Sequence, residues 1–569
     1  MTIARIIDPL VVALDTSLAS HRRAGLMLVL ASLALFLPGL FTLQPMDRDE
    51  PRFAQATKQM IETGDYVAIR FQDEARNKKP VGIYWMQAAV VRSAEALGLP
   101  QARTTIWVYR LVSLMGAVSA VLLTYWTALV FVTRRNAFFA ALLFGSTILI
   151  GVEARLAKTD AVVLATIMAA MGALARFYLA PVKERGWKLP LIFWSAIGIG
   201  LLVKGPITPM VPLFTGLVLA VKDRGAAWFA AARPLPGLVL ALLIVVPWFV
   251  LIMIATQGAF LVDSVGNDML GKVGAGQESH GAPPGIYLLA FWGTAWPMAP
   301  FAALACAFAW RARREKSVAF LLAWILPFWI MFETVPTKLP HYVLPAYPAI
   351  AILIMLAFER GALVGQQLWS RVMLRLVPLL ALVLMLAGFG LWFWSGRMPG
   401  TAAFAVLPFL LWLASHLLRD IGSEKIENSI LGAIGLAFCA YVFVFSGIMT
   451  SGPFEAWRMS PRLADAARQA LSAQASCARV LAATVGFNEP SLVFLAGTDL
   501  LMTSVEEAAR FVQAAPCRVA FVDARFEAAF KASLTATTNV ALASRVDGLN
   551  LNGGRKLDMA IYALKVPLP

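Results

Sequence analysis

A polytopic α-helical membrane protein ending in a small α/β domain is the fold class this sequence predicts, on three observations. Of 569 residues, 59% are hydrophobic and only 14% charged, with a mean hydropathy of +0.72, whereas soluble chains sit nearer half apolar and a quarter charged. Apolar runs approaching the ~20 residues a helix needs to cross hydrocarbon recur from residue 24 to residue 450, with cations clustered between alternate pairs. Beyond about Ser451 the composition becomes that of a soluble chain.

Taken in order, about thirteen transmembrane helices are expected, over 24–44, 105–132, 137–151, 160–180, 189–204, 206–221, 237–255, 286–310, 317–333, 341–358, 376–396, 402–418 and 429–450. The first follows Arg22 and Arg23 like a signal peptide, but no small-x-small cleavage site comes after it, so an uncleaved span is expected. Arg134/Arg135, Lys222/Arg224/Arg233 and Arg311/Arg313/Arg314 fall on one side with Arg22. The positive-inside rule makes that side cytoplasmic. The N-terminus is then cytoplasmic, and the C-terminal domain, 451–569, lies on the outer side of the transmembrane domain, 1–450. The first outer loop, 45–104, is expected to carry two interfacial helices, Pro51–Ile61 and Pro80–Leu97.

In the C-terminal domain, Val480–Val485, Leu500–Thr503, Val519–Asp523, Val540–Ser544 and Met559–Leu564 read as strands, with helices over Val505–Gln513 and Arg525–Leu534. It offers no phosphate loop, triad or metal set. Four cysteines are too few for a disulfide framework. Cys477 and Cys517 each begin a strand-like run in an oxidising compartment and could pair if those strands are neighbours; Cys306 and Cys439 lie in apolar spans. A net charge of +16 could suggest nucleic acid, but the cations sit between spans and form no basic helix, so no nucleic-acid partner is expected.

Charged groups at membrane spans cost ~2.5–3.5 kcal/mol each on insertion scales, so each needs a partner or a task. Five places on the expected outer side hold them: Asp47, Asp49 and Glu50; Glu153, Arg155, Lys158 and Asp160; Lys204; His280; and Lys338 with His341. Any one corner could simply face water. Five on one face, opposite a nearly all-basic face, predict a shared cavity. Bland alternatives stand beside each residue: a helix N-terminal charge for Glu50, snorkelling for Lys204, surface histidines for His280 and His341, and interfacial anchors for Tyr84, Trp85 and Tyr342.

These pieces occur in order as Asp47-Arg48-Asp49-Glu50-Pro51-Arg52-Phe53-Ala54, Gly64-Asp65-Tyr66, Lys79-Pro80 with Tyr84-Trp85, Ala157-Lys158-Thr159-Asp160, Leu202-Val203-Lys204-Gly205-Pro206, Pro247-Trp248, His280-Gly281 and Thr337-Lys338-Leu339-Pro340-His341-Tyr342. The set resembles the GT-C superfamily of polyprenyl-phosphate-sugar glycosyltransferases, and within it the aminoarabinose lipid A transferase and protein O-mannosyltransferase families. The resemblance implies an inverting transfer of a sugar, 4-amino-4-deoxy-L-arabinose among the candidates, from undecaprenyl phosphate to lipid A or a related envelope glycolipid, at the periplasmic face of a bacterial inner membrane.

Asp49, Asp160 and Glu50 are the candidate catalytic acids, and Lys79, Arg155, Lys204 and Lys338 the candidate phosphate-binding cations. Tyr84, His280, His341 and Tyr342 are the candidate substrate contacts. A hydroxyl acceptor would need a general base, for which Asp49 is the choice; a phosphate acceptor would need only orientation. No metal ligand is assigned. A divalent metal lacks a clear ligand set, because Lys78 stands where relatives often carry an acid. The same chemistry on a protein hydroxyl is one competitor. A lipid or solute transporter is another, disfavoured because no internal repeat is found and the charges sit at span ends.

Overall fold

The computed structural model describes residues 18–46, 48–179, 186–271, 281–363, 368–420, 426–472, 477, 480–535 and 539–565. A helical bundle carries the α/β unit at one end. The helices are α1 (His21–Phe36), α2 (Asp49–Thr63), α3 (Gly82–Ala96), α4 (Ile106–Ala128), α5 (Arg134–Gly145), α6 (Ile148–Glu153), α7 (Asp160–Leu179), α8 (Lys188–Lys204), α9 (Ile207–Lys222) and α10 (Pro234–Ala255). After the wide-turned stretch Val262–Leu270 come α11 (Ile286–Thr294), α12 (Ala299–Arg311), α13 (Lys316–Thr334), α14 (Tyr347–Glu359), α15 (Leu368–Ser395), α16 (Thr401–Asp420) and α17 (Ile426–Tyr441).

Among the described residues, eight helical stretches are long and apolar enough to cross a membrane, so the chain is a multi-pass membrane protein. Several expected spans are shorter or broken. The 137–151 stretch divides into α5 and α6 at Ser146-Thr147, whose carbonyls accept from the Tyr441 hydroxyl at 3.0 and 2.5 Å. The 286–310 stretch divides at Ala295–Met298, and there the Ile148 amide donates to the Trp296 carbonyl at 3.0 Å. Backbone freed from a helix inside a bilayer must find such partners, because no water is there to serve.

Of the two helices in the loop between α1 and α4, α3 buries one face and exposes the other, Trp85 among its exposed residues, whereas α2 is enclosed. Glu50, Pro51 and every residue from Phe53 to Ile61 are buried. α2 is sandwiched between α3 and the C-terminal unit, with Phe494 packed among Ala54, Ile61 and Tyr109. A short hairpin of β1 (Arg70–Phe71) and β2 (Glu74–Ala75) pairs Arg70 with Ala75 between the two helices. α3 presses its first turn on the end of α8: a Cβ added to Gly82 would stand 2.7 Å from the Leu202 carbonyl oxygen. That close approach fixes where Lys204 lies.

The C-terminal unit opens with α18 (Met459–Leu471) and continues through β3 (Leu481–Val485), α19 (Pro490–Ala496), β4 (Leu501–Met502), α20 (Val505–Gln513), β5 (Arg518–Asp523), α21 (Ala524–Ala532), β6 (Val540–Leu549) and β7 (Lys556–Leu564). The sheet order is β4-β3-β5-β7-β6, parallel at β4-β3-β5 and antiparallel beyond. β6 runs on past Ser544 to Leu549 because a register shift there lets it follow β7. One face is lined by Val519, Phe521 and Ile561 against α18 and α19. The other carries Ala520, Val522 and Tyr562 against α20 and Phe530 of α21, because successive side chains of a strand point to opposite faces.

β3 and β5 are neighbours, and Cys477 and Cys517 ahead of them form a disulfide across 40 residues. Closing a loop of that length restricts the unfolded chain and stabilises by about 2–4 kcal/mol. Replacing both cysteines with serine should therefore lower the denaturation midpoint of the C-terminal unit, read by intrinsic fluorescence. An unchanged midpoint would show that the bond adds nothing to the unit's stability.

Candidate active site

Three chain reversals bring distant polar residues to one hollow at the end of the bundle that carries the α1–α4 loop. Lys204 is the last residue of α8, and the turn after it needs Gly205, whose φ of +71° is left-handed. Asp160 opens α7, and the Pro340–Ala346 turn presents His341 and Tyr342. The hollow has a volume of about 410 Å3. Lys78, Lys79, Asp160, Lys204, Asp268, His341 and Tyr342 line its polar part. Val163, Leu164, Ile207, Met210, Met331 and Phe332 form an apolar wall continuous with it.

The charges inside are paired. Lys204 Nζ donates to Asp160 Oδ1, and Lys79 Nζ donates to Asp268 Oδ2 at 2.6 Å. His341 stands between two carboxylates, Nδ1 3.7 Å from Glu153 Oε1 and Nε2 3.6 Å from Asp160 Oδ1. Lys158 Nζ lies 3.7 Å from the same Glu153 oxygen. Glu153, Asp160 and His341 are spaced to hold a divalent cation, but Lys158 and Lys204 already place two ammonium charges against those carboxylates. The donor set therefore fits an ion-pair network better than a metal.

Asp49 sits at the first turn of α2, its side chain 46% exposed and 3.9 Å from Arg52. It lies within electrostatic reach of Tyr342 on the cavity wall but does not line the cavity itself. Tyr342 packs on Phe332, ring centroids 5.0 Å apart.

Four expected site residues do other work. Glu50 is fully buried and chelated by Arg110, which donates Nε to Oε1 at 2.7 Å and Nη2 to Oε2 at 2.9 Å. It also accepts from the Met46 and Ala157 amides at 2.6 and 2.9 Å. A carboxylate closed off on every side cannot meet a substrate. Arg155 faces a separate cavity of about 370 Å3 and donates to the carbonyls of Leu35, Pro38 and Gly151 beneath the Phe445 ring.

Lys338 spends its three protons on the carbonyls of Phe332, Glu333 and Val335, at 2.7, 2.7 and 2.6 Å. It caps the C-terminal end of α13, whose carbonyls lack helical partners, and burial lowers its pKa against the pull of Glu333. Tyr84 is buried against Phe53 inside the α2–α3 pair, where burial raises its pKa while Arg76 opposes. Asp47 and His280 lie outside the described residues.

Sequence reasoning missed Asp268 and Arg110. A lone arginine inside the apolar run that became α4 was the available signal for Arg110. Nothing in the Val262–Leu270 stretch marks Asp268 as the partner of Lys79.

Residues 78–251 match the family model of dolichyl-phosphate-mannose-protein mannosyltransferases. An undecaprenyl phosphate-α-4-amino-4-deoxy-L-arabinose arabinosyl transferase of Erwinia tasmaniensis is 28% identical over 415 residues, 69% of this chain and 71% of that one. The enzyme of the same name from Aeromonas salmonicida is 28% identical over 55% of this chain, which spans 57% of its length. In three dimensions the chain is similar to ArnT of Cupriavidus metallidurans bound to undecaprenyl phosphate, with a TM-score of 0.73 at 18% identity over 94% of this chain and 97% of that one.

The class these findings define is a fold: a multi-pass membrane protein similar to ArnT over nearly its whole length. Within that class, the similarity in sequence and in fold makes the chain ArnT-like.

The Glu50–Arg110 pair yields a prediction. Removing one member of a buried ion pair strands the other and costs about 3–5 kcal/mol, whereas replacing both with apolar groups costs less. Glu50→Gln should lower thermal stability in detergent, and Glu50→Leu combined with Arg110→Met should lower it less than either alone. A stable, monodisperse but inactive Glu50→Gln would return Glu50 to the chemistry.

Proposed function

We propose that this chain transfers a sugar of the aminoarabinose type from undecaprenyl phosphate to lipid A or a related envelope glycolipid, at the periplasmic face of a bacterial inner membrane. About thirteen helical segments then traverse or enter the bilayer, with the N-terminus in the cytoplasm and the C-terminal unit in the periplasm. The carrying observation is the cavity's two-part lining, lysine side chains together with an apolar wall. A polyprenyl phosphate has the matching two parts, an anionic head on a greasy chain.

The reaction breaks the bond between the anomeric carbon and the phosphate oxygen and forms one from the acceptor oxygen on the opposite face of the sugar. Charge grows on the departing phosphate, so fixed cations beside it stabilise the transition state more than the ground state. Lys79 and Lys204 take that role, a reading supported by their place in the cavity lining and by the carboxylates that orient them, Asp268 and Asp160 respectively. His341 braces Asp160 from the other side. Tyr342 contacts the sugar or the first isoprene units.

Asp49, in the first turn of α2, acts on the acceptor side. It takes a proton from a hydroxyl acceptor, or orients the sugar if the acceptor is an already ionised phosphate. The mannosyltransferase family match keeps a protein hydroxyl as the second acceptor to test.

Cells lacking the gene should lose a sugar from lipid A by mass spectrometry, and the wild-type gene should restore it. Lys79→Met and Lys204→Met should cut transfer by about 10²–10³ each, the usual loss for one such group, and Asp49→Asn should fail to restore the sugar. Loss of sugar from envelope proteins with lipid A unchanged would move the acceptor to protein. No glycan change at all would defeat the proposal.

A further inference from the structure

The C-terminal unit grips α2 along its length. Arg48 Nη2 lies 3.3 Å from Glu489 Oε1 at one end. Gln55 Nε2 donates to Thr498 Oγ1 at 2.9 Å and Lys58 Nζ to the Phe494 carbonyl at 3.2 Å midway. Thr498 Oγ1 donates to Glu62 Oε2 at 2.7 Å near the other end. Positions 48, 55, 58 and 62 share one face of a 3.6-residue helix, so these contacts belong to a single docking surface.

The Glu489 contact is built differently from the rest. Glu489 occupies the N-cap position of α19, and its side chain makes no capping bond to that helix. It is turned away and buried, with 6% of the side chain exposed. Asn550 Nδ2 donates to Oε1 and Asn552 Nδ2 to Oε2, both at 2.9 Å. Among the described residues, Arg48 is the one cation within ion-pair distance of it.

On the other side of the same helix start, Glu50 is locked to Arg110. Successive residues of a helix point about 100° apart. Arg48 and Glu50 are thus tied in two directions, to the α/β unit through a half-exposed pair and to the bundle through a buried one, with Asp49 between them.

We infer that Glu489 is a positioning residue, which aims Asp49 at the reacting sugar by holding Arg48. The inference rests on the reading of Asp49 as the acceptor-side carboxylate. It gives the C-terminal unit a task in turnover that its own residues, without a phosphate loop or triad, do not otherwise provide.

The test uses the full-length protein with a polyprenyl-phosphate-sugar donor. Misplacing a reacting group by an ångström can cost about 10²-fold in rate, so Arg48→Gln and Glu489→Gln should each lower kcat by about 10- to 100-fold with KM for the donor unchanged. The double variant should be no slower than either single one, as coupled residues require, and Arg48→Lys should recover most of the rate. Backbone amides at residues 48–52 should exchange faster in Arg48→Gln. Should Glu489→Gln misfold, Arg48→Gln with its lysine rescue carries the test alone.

Wild-type rates in both glutamine variants, multiplicative losses in the double variant, or a raised KM with kcat intact would overturn the positioning role. Asp49→Asn separates this from the reading beneath it. If it is inactive while the glutamine variants are unimpaired, only the positioning role falls; if it turns over normally, the reading of Asp49 falls and takes the inference with it.

Discussion

One buried ion pair sets the geometry on which the rest depends. Arg110 in α4 directs its guanidinium to both oxygens of Glu50 and to the carbonyls of Leu40, Leu43 and Gln44. Glu50 in turn accepts from the Ala157 amide. The tail of the first helix, the start of α2, the middle bundle and the corner before α7 are thereby tied at one point. An arginine and a glutamate without water are expensive individually. Here nearly every lone pair and proton finds a partner, which is the condition under which such a pair holds a unique arrangement. Asp49 on one side and Asp160 on the other inherit their positions from it.

A division of labour among like residues follows. Of the four cations expected around a phosphate, two face the cavity and two are consumed by the fold. Arg155 and Lys338 are both surrounded by backbone carbonyls, the mark of a cation that stitches loops together. Lys79 and Lys204 are paired with single carboxylates and border open space. An incoming phosphate can replace or share those carboxylates, whereas it cannot compete with three carbonyls fixed in a helix end. Type and position along the chain do not separate the two kinds; the partners do.

Much of the architecture was legible because the membrane imposes a length and a polarity that the sequence must obey. The apolar runs, the composition shift near residue 451 and the alternation of the late strands are properties of single segments. The convergence of Asp160, Lys204, His341 and Tyr342 was legible too, since topology alone puts their corners on one face. What could not be read depends on contacts between remote segments. Glu50 looks like any helix-start acid until Arg110 is seen against it. α2 reads as interfacial by composition, but the α/β unit covers the face that would otherwise meet headgroups or water. Asp268 lies in a stretch whose wide turns no periodicity announces.

The central claim is that a polyprenyl phosphate sits with its head between Lys79 and Lys204 and its chain along the wall of Leu164, Met210 and Phe332. A structure determined by electron microscopy with undecaprenyl phosphate added tests it most directly. The account predicts phosphate density within hydrogen-bonding distance of both lysines and chain density descending past Met210. Phosphate density beside Arg155 instead, with the Lys79–Lys204 hollow empty, would contradict it.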